Sequence, residues 1–185
     1  DELRSGTLVH HHYARPKAKY LLRLWIVHLV LRAQLGEAFG GSCLVTRSEA
    51  KSSAESRFLG PVDQPLEFLN ELVEIRKFGL EQPLLFFPET SHAYARSLSE
   101  AENPESNEAR RGALESARAA WVGANRKGAP PGESDDAAIQ RVYGHGAPYR
   151  PGFVMPNIFV PEERSFHTLA MTIFGPLFAA EGGAF

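Results

Sequence analysis

The chain has 185 residues, 43% hydrophobic and 23% charged, with 20 Lys and Arg against 22 Asp and Glu and a single Cys. These fractions lie near globular averages and exclude a wholly disordered or fibrous chain. A chain of this length can bury roughly 70% of the surface its unfolded state exposes, enough for one sizeable core. One Cys excludes an intrachain disulfide framework and makes a reducing compartment the expectation.

The net charge of −2 conceals its distribution. Between Leu3 and Gly36 lie six basic residues (Arg4, Arg15, Lys17, Lys19, Arg23 and Arg32) and no acid, whereas 14 basic and 20 acidic residues follow from Glu37 onward. A positive block ahead of an acidic remainder is the asymmetry that attraction to phosphates uses. A solvated basic helix face is the plainer reading of the same pattern.

In chain order, Thr7 to Tyr13 (TLVHHHY) predicts a short strand. A helix is expected from about Arg15 to Gln34, because Leu21, Leu24, Trp25, His28 and Leu31 recur at steps of three and four. Its longest apolar stretch, Tyr20 to Leu31, is 12 residues and contains Arg23 and His28. A membrane span needs about 20 apolar residues, so this is a buried core helix. Its basic residues gather in the first turns, where each exposed charge opposes the helix dipole by ~0.3–1 kcal/mol. A local rule broken at one place is consistent with charges that serve a partner. No secretory signal opens the chain, and a start at Asp1 rather than Met suggests a piece of a larger protein.

After Gly40-Gly41, Ser42 to Thr46 predicts a second strand and Arg47 to Pro61 a polar loop. Asp63 is the expected cap of a helix with Pro65 in its first turn, an inward face of Leu66, Leu69, Leu72, Val73 and Ile75, and Gly79 as its stop. Pro83 to Pro88 suits a short buried strand or extended segment. Ser91 is expected to cap a helix starting near His92, and Asn103 to Val122 predicts a long helix ended by Gly123. A loop to Gly132 follows, then a helix start at Ser134-Asp135-Asp136. Gly144 to Pro161 reads as a long irregular connection, and Glu162 to Ala180 as a last helix. That helix would bury Phe166, Leu169, Ile173, Leu177 and Phe178 and kink at Gly175-Pro176. There is no internal repeat. The pattern is an α+β single domain, helix-rich with a small sheet.

Catalytic signals are sparse. His10, His11 and His12 are consecutive, so a strand sends them to alternate faces and no metal site is expected. His28, one turn after Trp25, reads as a satisfied core or rim histidine. Cys43 falls in a buried strand and reads as a small hydrophobe. Neither a Gly-x-Ser-x-Gly elbow nor a phosphate-binding Gly-x-x-x-x-Gly-Lys is present. Glu49-Ala50-Lys51 has the acid-x-Lys form by which metal-dependent nucleases place a Mg²⁺ ligand and a water-supporting Lys on one strand face. That chemistry needs a second carboxylate, and none lies between Leu3 and Gly36. An inert site is therefore expected.

Five blocks in order carry a resemblance: Leu24-Trp25-Ile26-Val27-His28-Leu29; Pro83-Leu84-Leu85-Phe86-Phe87-Pro88-Glu89-Thr90-Ser91-His92-Ala93-Tyr94-Ala95; Ala120-Trp121-Val122-Gly123; Gly132-Glu133-Ser134-Asp135-Asp136; and Phe174-Gly175-Pro176-Leu177. The chain resembles, from about Thr7 to Ala180, the C-terminal domain of the gamma subunit of exodeoxyribonuclease V, the RecC family of RecBCD-type helicase–nucleases. The resemblance implies an α+β, restriction-endonuclease-like core that has lost its catalytic carboxylates. It also implies contacts with the helicase and nuclease subunits of a cytoplasmic bacterial complex, and a place where duplex DNA is split. On this reading residues 1–185 form one nuclease-like domain at the C-terminal end of a larger subunit. The domain itself has no catalytic residue, metal ligand or cofactor, and ATP and Mg act in the partner subunits.

DNA contact is expected to be with phosphates and independent of sequence, through Arg4, Arg15, Lys17 and Lys19. Two alternatives stand beside it. One is an active Mg-dependent DNA nuclease using Glu49 and Lys51; the other is a pure subunit-interaction scaffold. Trp25, Phe86, Phe87 and Trp121 are expected core anchors, Ser91 and Ser134 helix caps, and Asp135 and Asp136 acids favoured by a helix dipole.

Overall fold

The computed structural model describes residues 6–14, 17–48, 53–123, 131–144, 147–149 and 162–182, together with the backbone of 2–4. They form two compact units, Asp1–Phe78 with Leu177–Phe185, and Gly79–Pro176.

The first unit is built on a four-stranded sheet in the order β1 (Glu2–Arg4), β2 (Thr7–His12), β3 (Gly41–Arg47), β4 (Ala54–Leu59). β1 and β2 are antiparallel, β2 and β3 parallel with His12 opposite Thr46, and β3 and β4 antiparallel with Val45 opposite Ser56. Parallel neighbours require a crossover, and α1 (Ala18–Leu35) supplies it. The register puts Leu8, Ser42 and Leu59 on one sheet face. That face takes α1, whose buried side is Leu21, Leu24, Trp25, His28 and Leu29. Trp25 stacks on His28 at 5.5 Å and meets Phe68 of α2 (Pro65–Glu81) at 6.3 Å. Each such fully buried apolar side chain contributes about 1.5–3 kcal/mol.

Four expectations for β4 and α2 are corrected. The stretch Arg47 to Pro61 is not all loop, since it contains β4. Its sequence AESRFL does not alternate cleanly between polar and apolar, since Glu55 and Arg57 share a face with Leu59, and pairing with β3 makes it a strand where local propensity does not. α2 begins at Pro65 rather than after an Asp63 cap, and of its expected inward face only Ile75 is buried. Leu66 is 61% and Val73 47% exposed. A helical period identifies an apolar stripe without saying what covers it. Gly79 lies inside α2 rather than ending it. Its missing Cβ makes room for the Leu84 side chain, which would otherwise lie 2.7 Å away.

The second unit is helical. Leu85 and Phe87 are buried in the extended segment before α3 (Pro88–Ser99), which packs along α4 (Asn107–Val122). α5 (Ala137–Tyr143) and α6 (Phe166–Ala180) follow, and α6 carries Pro176 within it. The core is a chain of rings. Phe87 meets Trp121 and Tyr143 edge-on, each at 5.0 Å. Trp121 meets Tyr149 at 5.8 Å, and Tyr94 meets Phe166 at 5.5 Å.

The helix starts differ from expectation in an informative way. α3 begins at Pro88, so Ser91 lies inside it; the Ser91 hydroxyl accepts from the Phe87 N–H at 3.2 Å. The α3 amides that need an acceptor find Glu133 instead. Its two carboxylate oxygens accept from the Glu89 N–H at 3.0 Å and the Thr90 N–H at 2.8 Å. Ser134 caps nothing, because Asp136 caps α5 by accepting from Ala138 at 2.8 Å and Ile139 at 3.2 Å. α4 starts at Asn107, with the Ser106 hydroxyl accepting from Ala109 at 3.0 Å. Gly123 closes α4 with φ 74° and bridges to Pro131. The expected irregular stretches after Gly123 and Gly144 fall largely outside the described residues. Among the described residues no helix is long and apolar enough to cross a membrane.

Candidate nucleic-acid interface

Helix α1 opens without the usual stabilising groups. Its N-cap is Lys17, no side chain caps it, and no acid lies in its first turn. Lys17, Lys19 and Arg23 are exposed on these turns. Among the described residues no ion pair involves them. The helix dipole already makes this end positive, so three cations add to a field that an anion would relieve. The remaining basic residue of α1, Arg32, lies in its last turn.

The cation cluster is tied to the sheet through rings. Lys19 Nζ lies 5.2 Å from the centre of the Tyr20 ring. Tyr20 stacks on His12 with centroids 3.6 Å apart, and His12 lies 6.4 Å from His10 on the same strand face. Burial lowers the His10 pKa, helped by the charge of Arg23. Beyond the ends of β2 and β3 lies a groove of about 400 Å³ lined by His11, His12, Tyr13, Val45, Thr46, Arg47, Ser53 and Ala54. The Arg47 N–H donates to the Ala14 carbonyl at 3.1 Å, and the Ser48 N–H to Ser53 at 2.8 Å, which fixes the groove walls. In sheets with parallel strands the space beyond the strand carboxyl ends is where ligands commonly sit.

Of the expected contact residues, Lys17 and Lys19 stand together at the start of α1. Arg4 is on β1 by its backbone, and its side chain is not among those described. Arg15, Glu49 and Lys51 lie outside the described residues. No group of three or more His, Cys, Asp or Glu able to hold a metal is found among the described residues. His28 is buried, with Nδ1 3.1 Å from the Ser42 hydroxyl. Burial, and secondarily the charge of Arg32, lowers its pKa to about 4 against a weaker opposing effect of the Gly60 backbone. Cys43 is buried as expected, and burial raises its thiol pKa. Sequence reasoning missed Tyr13 and Arg47. Their only signal is position: Tyr13 directly follows β2 and Arg47 ends β3.

Comparison with known proteins gives a consistent relationship. Two curated relatives, each named RecBCD enzyme subunit RecC, come from Mycobacterium tuberculosis strains CDC 1551 / Oshkosh and ATCC 25618 / H37Rv. Each is 29% identical over 182 residues, covering 96% of this chain and 15% of the relative. The chain thus spans about 15% of the length of the relatives it matches. The sequence model of the RecC C-terminal domain matches residues 1–99. With more than half its length inside that match, the chain belongs to the RecC C-terminal domain family.

Proposed function

We propose that this chain is a non-catalytic, restriction-endonuclease-like domain of a RecC-type subunit. Residues 1–185 act as one domain at the C-terminal end of that subunit. It contacts the helicase and nuclease subunits of an exodeoxyribonuclease V complex and guides DNA at the point where strands separate, during double-strand-break repair and recombination. ATP and Mg act in the partner subunits. The observation that carries the DNA part is the uncapped, acid-free start of α1 with Lys17, Lys19 and Arg23 exposed on it. Loss of catalysis is supported by the composition of the central strands: neither TLVHHH of β2 nor GSCLVTR of β3 contains a carboxylate. The mixed sheet with an α1 crossover supports a nuclease-like core.

Phosphate contact is non-specific and salt-dependent, because each neutralised phosphate releases counterions. Binding of forked DNA, measured against salt concentration, is expected to weaken as salt rises. Replacing Arg15, Lys17 and Lys19 by Ala should reduce the log–log slope by about 0.9 for each phosphate that is no longer neutralised. Absence of binding by the unsubstituted chain at low salt would favour a pure scaffold. Incubation with linear DNA and Mg²⁺ addresses catalysis. Cleavage that disappears in Glu49→Ala would assign the chain to an active nuclease instead.

A further inference from the structure

We propose that the groove beyond β2 and β3 binds single-stranded DNA, with Tyr13 as a stacking platform for a base and Arg47 as a phosphate contact. The inference rests on the DNA reading above and adds to it a place, a strand state and a mode of contact.

Strand alternation puts His11, Val45 and Arg47 on the sheet face opposite α1, since their neighbours His12 and Thr46 lie on the face that carries the Tyr20 stack. Tyr13 follows at the mouth of this groove and is 94% exposed. A single exposed aromatic is ordinary; this one lines a groove that Arg47 also lines. Arg47 is exposed, and its main chain is bonded to Ala14, the residue after Tyr13. The described lining contains no Asp or Glu. A volume of about 400 Å³ lies within the range of small-ligand sites. An aromatic face beside backbone-tracking cations is how single strands are held without reading sequence, because every base has a π-face. A paired base offers no free face, so this site takes an unpaired strand.

The test compares two fluorescent oligonucleotides of about 12 nucleotides, within the usual single-strand site size. One is oligo-dT and the other an abasic strand carrying the same phosphates. The 185-residue chain should bind oligo-dT about 10-fold more tightly, as expected for one stacked base. Tyr13→Ala should abolish that preference while keeping the salt dependence, and Tyr13→Phe should restore it. Arg47→Ala should weaken both probes alike and reduce the salt slope by about 0.7. If oligo-dT and the abasic strand bind equally, or if Tyr13→Ala keeps the preference, the stacking site is overturned while phosphate contact by α1 stands. If neither probe binds at low salt, both readings fall together.

Discussion

The sheet-bearing unit, Asp1–Phe78 with Leu177–Phe185, and the helical unit, Gly79–Pro176, differ in where each keeps its polar chemistry. The sheet unit sends its cations outward, on the first turns of α1 and the end of β3, and keeps a histidine inside against Ser42. The helical unit buries rings and uses its acids on helix ends, as Glu133 and Asp136 do. Four of the five blocks that carry the family resemblance lie wholly or mainly in the helical unit, and there they touch. Phe86 stacks on Phe174 at 5.8 Å, Phe87 meets Trp121, Glu133 accepts from α3, and Gly123 bridges to Pro131. Those four blocks therefore belong to one packing arrangement. The surface proposed to meet DNA lies in the other unit, most of which falls within the family match over residues 1–99.

The sharpest way to break this comparison is to remove its central ring. Phe87 is fully buried and edge-on to both Trp121 and Tyr143. Phe87→Ala should destabilise by about 3–5 kcal/mol, through apolar surface returned to water and the cavity left behind, read as a lower urea midpoint. If the ring chain organises the helical unit, near-ultraviolet circular dichroism from Trp121 should fade with it. A loss below about 1 kcal/mol would mean the cluster is loosely packed and the resemblance blocks do not owe their pattern to it.

The sheet unit predicts a pH effect of nearly the same size. Because the folded chain holds His28 at about 4, the unfolded chain, near 6.5, binds the extra proton first as pH falls. Stability contributed by neutral His28 is fully present above about 6.5, and is lost as pH drops from there to about 4. The loss is up to about 3 kcal/mol. His167 in the helical unit is lowered in the same direction by burial and by Arg110, so both units weaken in acid. Urea midpoints at about pH 7 and about pH 4.5 should differ clearly in the parent chain and differ much less in His28→Gln. An unchanged difference in that variant would place the acid sensitivity elsewhere.

Much of the sheet unit could be read from local pattern. TLVHHH and SCLVT are β-rich runs, and the α1 stripe from Leu21 to Leu29 repeats at helical spacing, so β2, α1 and β3 lie where the sequence puts them. AESRFL could not be read that way, because its strand character comes from pairing with β3. The α2 stripe was legible as apolar, but not as only partly covered, with Leu66 and Val73 exposed. At the interface Lys17 and Lys19 were visible as charge. Tyr13 and Arg47 become a pair only through the register of β2 and β3 and the Arg47–Ala14 bond. In the helical unit, local rules proposed Ser91 and Ser134 as caps because hydroxyls near helix starts commonly serve. The acceptor that serves α3 is more than 40 residues away in sequence.

That remote acceptor gives the smallest of the three expected effects and the one that most sharpens the comparison. Pro88 at the first position of α3 has no N–H, so the next two amides are the ones exposed to loss. Glu133 satisfies both with one carboxylate at a helix N-terminus, where negative charge is favoured. Glu133→Ala leaves two part-buried donors without their acceptor and should destabilise by about 1–2 kcal/mol. Glu133→Gln keeps one acceptor oxygen and should lose less. If the Gly132-Glu133 block belongs with the Pro88-Glu89-Thr90 block for this reason, amide exchange at Glu89 and Thr90 should quicken in Glu133→Ala while the α1 amides exchange as before. Faster exchange across both units alike would mean that Glu133 supports global stability, and the pairing of those two blocks would need another cause.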